Sequence, residues 1–255
     1  MFSSVRNYLI AKIAAAPIVT EPFPHMVIDE IFPSEFYAEM TSRRLSDDEY
    51  IRLVDTGRVS AAYSPHRLCF MRDGQRKSPD DSDVKFWESF LAMFDNQEFL
   101  DNWLKRFAPA VDRRLSTDLH EFLSPEGIHV SAECFLMRDR DGYMLSPHID
   151  AQHKAMTALF YLPRADTNAT IGTALYRCRK PAPSGWGVQC ERDDFEHVET
   201  VSYLPNRMIA FPNLPDSFHG GEPVGGAQAG RDLFIYDLKY LLVKRPEDGQ
   251  TSRGG

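Results

Sequence analysis

Met144-Leu-Ser-Pro-His-Ile-Asp150 is the stretch on which the reading of this chain turns. In an extended strand, residues i and i+2 point to the same face. His148 and Asp150 therefore present an imidazole and a carboxylate side by side, and the pair can bind one cation without a special loop. A third donor lies far downstream, at Phe218-His219-Gly220-Gly221, and tertiary structure must deliver it. The apolar run Arg207-Met-Ile-Ala-Phe211 leads into Pro212-Asn-Leu-Pro215, which brings His219 to the start of the next extended segment. The two glycines after it suit a backbone that runs close to something else.

The sequence around these residues is strand-like. From residue 128 onward, short runs rich in β-branched and aromatic residues alternate with turn-like segments. Strands are predicted at 128–137, 143–150, 156–162, 172–178, 197–204, 207–212, 217–224 and 231–242. Eight strands are the number expected of a double-sheet jelly roll. The first half reads differently. Residues 2–15 suggest an amphipathic helix, with Tyr8, Ile10, Ile13 and Ala14 as its apolar positions. Pro24 to Phe32 suggests a short strand, and Ser34 is a plausible N-cap for the helix that follows. Residues 47–82 are polar and irregular, and are expected to be a long loop that folds over the site. Helices are predicted over 83–94 and 97–115. Val84, Trp87, Phe90, Leu91 and Phe94 share a face of the first, and Phe99, Leu100, Trp103, Leu104 and Phe107 share a face of the second. These aromatics read as core. The fold class is α+β, mainly β: a double-stranded β-helix (jelly roll) buttressed by N-terminal helices. It forms one domain over 1–244, with a helical part at 1–120, a jelly-roll core at 128–242 and a flexible polar tail at 245–255.

Composition narrows the function classes. The chain has 255 residues, 43% hydrophobic and 26% charged, with Lys plus Arg 29 against Asp plus Glu 37 and a net charge of −8. It is long enough to bury a substantial core. The acidic balance argues against a nucleic-acid partner, which calls for a basic surface. Cys69, Cys134, Cys178 and Cys190 show no CxxC spacing and read as ordinary thiols in a reducing compartment. Lys12 interrupts the apolar stretch Tyr8–Ala16, so it does not read as a signal peptide. No segment is long enough to span a bilayer. The expected location is the cytoplasm, with no membrane partner.

Two His and one carboxylate on one side of a metal is the facial arrangement of non-haem Fe(II) oxygenases, which leaves positions open for a co-substrate and for O2. Zinc more often recruits Cys or a third His. Met144–Asp150, Thr157-Ala-Leu-Phe-Tyr-Leu-Pro163, Arg207–Phe211, Phe218-His219 and Gly230-Arg231 together resemble the Fe(II)/2-oxoglutarate-dependent dioxygenases, in their prolyl-hydroxylase-like branch. The resemblance covers about residues 128–242 and preserves the family's order of ligands. It implies that His148, Asp150 and His219 bind Fe(II) as the catalytic centre. It also implies that Arg231 anchors the distal carboxylate of 2-oxoglutarate through its planar two-donor fork, and that Tyr161 donates to the same carboxylate. Arg231, Leu233 and Ile235 would share one strand face, and Thr157, Leu159 and Tyr161 another. Many relatives carry Ser or Thr two residues after this Arg; Leu233 stands there instead. Lys154 falls where some relatives carry a substrate-facing basic residue. The carboxylate at Asp150 favours hydroxylation, or a related desaturation or cyclisation, over halogenation.

The resemblance implies hydroxylation of an unactivated C–H of a small molecule or amino-acid-type substrate, using Fe(II), 2-oxoglutarate and O2 and releasing succinate and CO2. The insert Arg179-Lys-Pro-Ala-Pro-Ser-Gly-Trp186 is expected near the barrel mouth, where either Trp186 or Arg177 touches substrate or Trp186 is a structural loop residue. His153 is expected in an outer position or exposed, and His25, His66, His120, His129 and His197 are expected to be structural. Two other functions fit the same residues. One is a jelly-roll protein that binds a metal or small ligand without redox turnover. The other is a cupin-type metal hydrolase or isomerase, a class whose sites commonly use more histidines.

Overall fold

The computed structural model describes residues 1–61, 63–72, 74, 76–117, 119, 129–164, 169–180, 185–224 and 230–241. Among them are five α-helices: α1 (Phe2–Ala15), α2 (Ser34–Ser42), α3 (Ser82–Ala92), α4 (Gln97–Arg106) and α5 (Ala108–Ser116). Eleven strands accompany them. The first half contributes β1 (Met26–Asp29), β2 (Ile51–Arg52) and β3 (Arg67–Met71). The second half contributes β4 (Val130–Arg140), β5 (Leu145–His148), β6 (Lys154–Tyr161), β7 (Thr173–Cys178), β8 (Phe195–Val201), β9 (Arg207–Pro212), β10 (His219–Gly221) and β11 (Gly230–Tyr240). They form a large sheet in the order β1-β9-β6-β11-β4-β3-β2 and a small one in the order β5-β10-β7-β8. From β4 to β11 the chain passes repeatedly between the two sheets, which is jelly-roll winding.

Period-2 alternation assigns each strand's side chains to one of two layers. On β11, Leu233 and Ile235 point inward with Phe135 and Met137 of β4, Tyr161 of β6, and Ile209 and Phe211 of β9. Phe234, Tyr236 and Leu238 point the other way, with Leu136, Ala158, Phe160 and Met208. The helices cover this outer face. Phe90 and Phe94 of the α3 segment set their rings 4.8 and 4.6 Å from that of Phe234. Fully burying one such ring is worth about 1.5–3 kcal/mol. The Asp81 carboxylate caps α3 by accepting from the N–H groups of Asp83 and Val84, and Asn96 caps α4 through Phe99, each worth about 1 kcal/mol.

Several expectations are revised. The helix predicted over 97–115 breaks at Phe107, because Pro109 lies in the first turn of α5, where it lacks a donor and favours a new start. Pro33, not Ser34, holds the cap position of α2, with no side-chain cap bond. The 47–82 region is not wholly irregular: β3 pairs along β4 from Arg67↔Asp139 to Met71↔Phe135, and β2 pairs with β3. The first half thus supplies three strands as well as helices. Leu53, Val59 and Tyr63 of this region pack onto the inner cluster between the sheets. The 245–255 tail, His120 and Pro181–Ser184 of the insert lie outside the described residues.

Candidate metal centre

β5 and β10 pair antiparallel with His148 directly opposite His219. Their ring centroids are 4.4 Å apart. Asp150 follows β5 by two residues, and its carboxylate oxygens lie 3.9 Å from the Nε2 atoms of both imidazoles. One ligand atom from each of the three residues falls within 4.8 Å of the others. All three side chains are nearly enclosed.

Each imidazole is oriented by its own chain. His148 Nδ1 lies 3.0 Å from the Ser146 carbonyl, and His219 Nδ1 lies 3.0 Å from that of Ser217. A carbonyl only accepts, so Nδ1 carries the hydrogen and the Nε2 lone pair faces the centre. Burial, reinforced by the neighbouring imidazole, pushes the His148 ring down to about 3. Burial also lowers His219, against the opposing pull of Asp150. Both rings are neutral at pH 7, the form a metal binds. Burial alone would raise the Asp150 carboxyl; Lys154 and the two histidines outweigh it and hold the group low.

Further polar groups support Asp150. The Thr157 hydroxyl lies 2.7 Å from Asp150 Oδ2 and 2.9 Å from Asp237 Oδ1. Lys154 Nζ lies 3.3 Å from Asp150 Oδ1 and 2.8 Å from Asp237 Oδ2. Lys154 reaches this face through a β-bulge. β11 pairs Leu238 with Met156 but the next residue, Lys239, with Lys154, so β6 carries an extra residue there. A bulge of this kind re-aims a side chain. The turn from Asp150 to Lys154 is fastened from behind. Asn213 Nδ2 donates to the Ala151 and Lys154 carbonyls, at 2.9 and 3.2 Å. Buried Arg114 of α5 donates to Gln152, Lys154 and Asn213 carbonyls at 2.8–2.9 Å. The insert closes the free edge of β5 through Gly187 N–H to Ile149 and Cys190 N–H to Pro147.

Arg231 lies on the inner face, as the strand pattern requires, but its fork is engaged. Nε and Nη2 sit 2.9 and 2.8 Å from Asp139 Oδ2, and Nη1 donates to the Ile171 and Gly172 carbonyls. Arg67 grips the same carboxylate through both oxygens, at 2.6 and 2.9 Å. Tyr161 donates to the Thr173 hydroxyl at 2.7 Å, and burial pushes its phenol up to about 12. A Cβ on Gly221 would stand 2.6 Å from Arg231 Nη2, and one on Gly220 2.6 Å from the Leu145 carbonyl. The close approach suggested by this glycine pair therefore involves Arg231 on one side and β5 on the other.

The other candidates lie apart from the centre. His153, His66, His129 and His197 are exposed, and His25 is buried with Nδ1 on the Phe23 carbonyl. Arg177 is exposed and pairs with Glu21 and Glu196. Trp186 stacks on Arg114, whose guanidinium carbon is 4.2 Å from the ring centroid. Sequence reasoning missed Asp237, Asp139, Arg67, Arg114 and Asn213. Asp237 was accessible, since it continues the Arg231-Leu233-Ile235 periodicity.

No protein-family profile matches the sequence, and no curated protein shows significant similarity to it. Solved structures do resemble the fold. The epimerase SnoN, solved in complex with Fe3+, alpha ketoglutarate and nogalamycin RO, superposes with a TM-score of 0.50 at 11% identity, over 99% of this chain and 93% of that one. A Pseudomonas putida prolyl-4-hydroxylase gives 0.48 at 13% identity, over 94% and 98%. A 2OG-Fe(II) oxygenase family oxidoreductase from Burkholderia pseudomallei gives 0.46 at 12% identity, over 90% and 89%. At these identities the likeness is one of fold.

Proposed function

We propose that the chain is an Fe(II)/2-oxoglutarate-dependent dioxygenase that hydroxylates an unactivated C–H of a small molecule or amino-acid-type substrate. The observation that carries this reading is the set of three ligand atoms within 4.8 Å of one another, with both imidazole Nε2 lone pairs turned inward. Neutral imidazoles and an ionised carboxylate are the donor forms a ferrous ion takes. His148, Asp150 and His219 would hold it on one side. Bound Fe(II) with 2-oxoglutarate and O2 supplies the oxidising chemistry, which releases succinate and CO2.

The protein's own part is orientation and exclusion of water. Thr157 and Lys154 hold the Asp150 carboxylate, and Arg114 and Asn213 hold the turn behind it. Arg231 and Tyr161 are proposed to receive the distal carboxylate of the co-substrate. Gly221 lets the Arg231 guanidinium lie against β10, two residues past His219. That carboxylate would take over part of the hold Asp139 has on Arg231, while Arg67 keeps both oxygens of Asp139 occupied.

Engagement of the Arg231 fork on Asp139 favours a second reading, a jelly roll that binds metal without redox turnover. One experiment separates the two. Anaerobic Fe(II) with 2-oxoglutarate is expected to give a weak visible charge-transfer band, and admission of O2 slow succinate formation without added substrate. The His148→Ala protein should show neither. A silent spectrum together with no succinate would exclude the oxygenase. No helix among the described residues is long and apolar enough to cross a membrane.

A further inference from the structure

Arg67, Asp139 and Arg231 stand in one row across three neighbouring strands. The register of β3 on β4 sets Arg67 opposite Asp139, and that of β4 on β11 sets Asp139 opposite Arg231. Directly opposed side chains on antiparallel strands meet, and here one carboxylate lies between two guanidiniums. All three residues are buried. No other described carboxylate forms an ion pair with either arginine, so the row carries two positive charges against one negative. A buried charge without a counter-ion is costly. A second carboxylate in this row would leave it neutral.

The hydrogen bonds of the row fix where that carboxylate can go. An arginine has five N–H donors and holds a carboxylate best through two parallel ones on one edge of its fork. On Arg231 the Nε and Nη2 edge lies on Asp139 Oδ2, at 2.9 and 2.8 Å. Nη1 donates to the Ile171 and Gly172 carbonyls, at 3.0 and 3.1 Å. Gly221 closes the side next to Nη2, where a Cβ would stand only 2.6 Å away. An incoming carboxylate therefore reaches a two-donor edge of Arg231 only by displacing Asp139. Arg67 is placed to keep the displaced group. It holds both Asp139 oxygens, at 2.6 and 2.9 Å, and is itself steadied by Nη1 on the Tyr63 hydroxyl at 3.4 Å. Asp139 would give up one guanidinium and retain the other, and would not become a bare buried anion.

We propose that Asp139 is an internal competitor for the distal carboxylate of the co-substrate, and that Arg67 is the positioning residue that holds Asp139 once Arg231 lets go. The two residues together set how tightly a 2-oxo acid binds and require its tail to be charged. A neutral tail neither displaces Asp139 from the Arg231 fork nor neutralises the row. The inference deepens the oxygenase reading and rests on it for the identity of the ligand. Its two residues act in opposite directions. Removing the charge of Asp139 removes the competitor. Removing the charge of Arg67 leaves Asp139 with Arg231 as its only counter-ion, and the competitor holds on harder.

The test is a binding measurement that needs no turnover. Isothermal titration calorimetry on the full chain with Zn(II), which has no redox chemistry, compares 2-oxoglutarate with 2-oxopentanoate. The second acid has the same carbon chain, with a methyl group in place of the distal carboxylate. The unsubstituted protein is expected to prefer 2-oxoglutarate. Asp139→Asn should raise that preference about tenfold, or about 1.4 kcal/mol, and Arg67→Gln should lower it by a similar factor. 2-Oxopentanoate should bind all three proteins alike. Damage to the fold would weaken both acids together, so the ratio separates competition from a merely structural role. Arg67→Gln keeps the test decisive if Asp139→Asn does not fold. A ratio that stays constant, or moves the other way, in either folded variant overturns the proposal. So does failure of both the unsubstituted protein and Asp139→Asn to bind 2-oxoglutarate. Succinate formation together with constant ratios would remove the competitor and keep the oxygenase. Opposed shifts in a protein that forms no succinate would sustain the competitor and remove the oxygenase.

Discussion

The Thr157 hydroxyl has one proton and two carboxylate neighbours, Asp150 at 2.7 Å and Asp237 at 2.9 Å. Its proton fixes one of the proposed metal ligands, so Thr157→Val, which keeps the shape and removes the donor, is expected to weaken metal binding by about 10–100-fold. Competition titration with Co(II) measures this, and unchanged affinity would mean that Asp150 is held by Lys154 and the turn alone. Asp139 presents a different case. It is fully enclosed between Arg67 and Arg231. Burial pushes its carboxyl up, but the two guanidiniums outweigh that and set it below the ordinary 3.8. The folded state then binds fewer protons than the unfolded one, so the stabilisation is present above 3.8 and is lost as pH falls through the lower folded value. Asp139→Asn leaves two buried guanidiniums without their anion and is expected to cost about 3–5 kcal/mol near neutral pH. Urea midpoints followed from neutral pH into acid should fall less steeply in the variant; parallel acid limbs would show that Asp139 does not govern them. The i, i+2 spacing of His148 and Asp150 was legible in the sequence because strand geometry alone brings the two together. The Asp139 partnership was not, since it depends on which strand lies beside β11.

At the scale of elements, the metal centre depends on the pairing of two short strands. β10 has three residues, and its register sets His219 opposite His148. A Cβ at Gly220 would lie 2.6 Å from the Leu145 carbonyl, a backbone atom that cannot swing aside. Gly220→Ala must therefore push β10 away from β5, at about 1–3 kcal/mol. Because His148 and His219, two of the three proposed ligands, ride on those strands, metal affinity should fall further than stability does. Co(II) titration and urea denaturation of the same variant give the comparison, and normal affinity in a destabilised protein would contradict it. The eight strands from β4 to β11 were readable because alternating apolar residues and turn signals recur from residue 130 onward. β3 escaped notice, as Arg67-Leu-Cys-Phe-Met71 is short and lies among polar loops. The resemblance pointed Lys154 toward the substrate side, but strand alternation alone did not. Strict alternation puts it on the helix-covered face with Met156 and Ala158, and only the extra residue in β6 turns it inward.

Across the whole molecule, the helices and the jelly roll share a continuous apolar layer. Val5, Leu9 and Ile13 of α1 belong to the same buried cluster as Phe90, Phe160 and Phe234. The predicted single domain of residues 1–244 should therefore unfold in one step. Trp87 and Trp103 are buried in α3 and α4 and, with Trp186 replaced by Phe, report on the helical layer, while far-UV circular dichroism reports on the whole fold. The two transitions are expected to coincide, as two-state behaviour requires. Phe90→Ala, which removes a ring packed between α3 and β11, should lower both together by about 3–5 kcal/mol. Arg114 extends the argument to the metal. It stands on α5 but donates to the carbonyls of Gln152 and Lys154, in the turn that follows Asp150. Loss of the helical layer therefore releases the turn after Asp150, and the proposed metal site forms only while both layers are in place. Co(II) at a hundredfold excess over its dissociation constant should raise both transitions equally, by about 2.7 kcal/mol. A metal-induced shift confined to the circular dichroism, with the tryptophan signal unmoved, would mean that the helices unfold on their own and that the single-domain assignment is wrong.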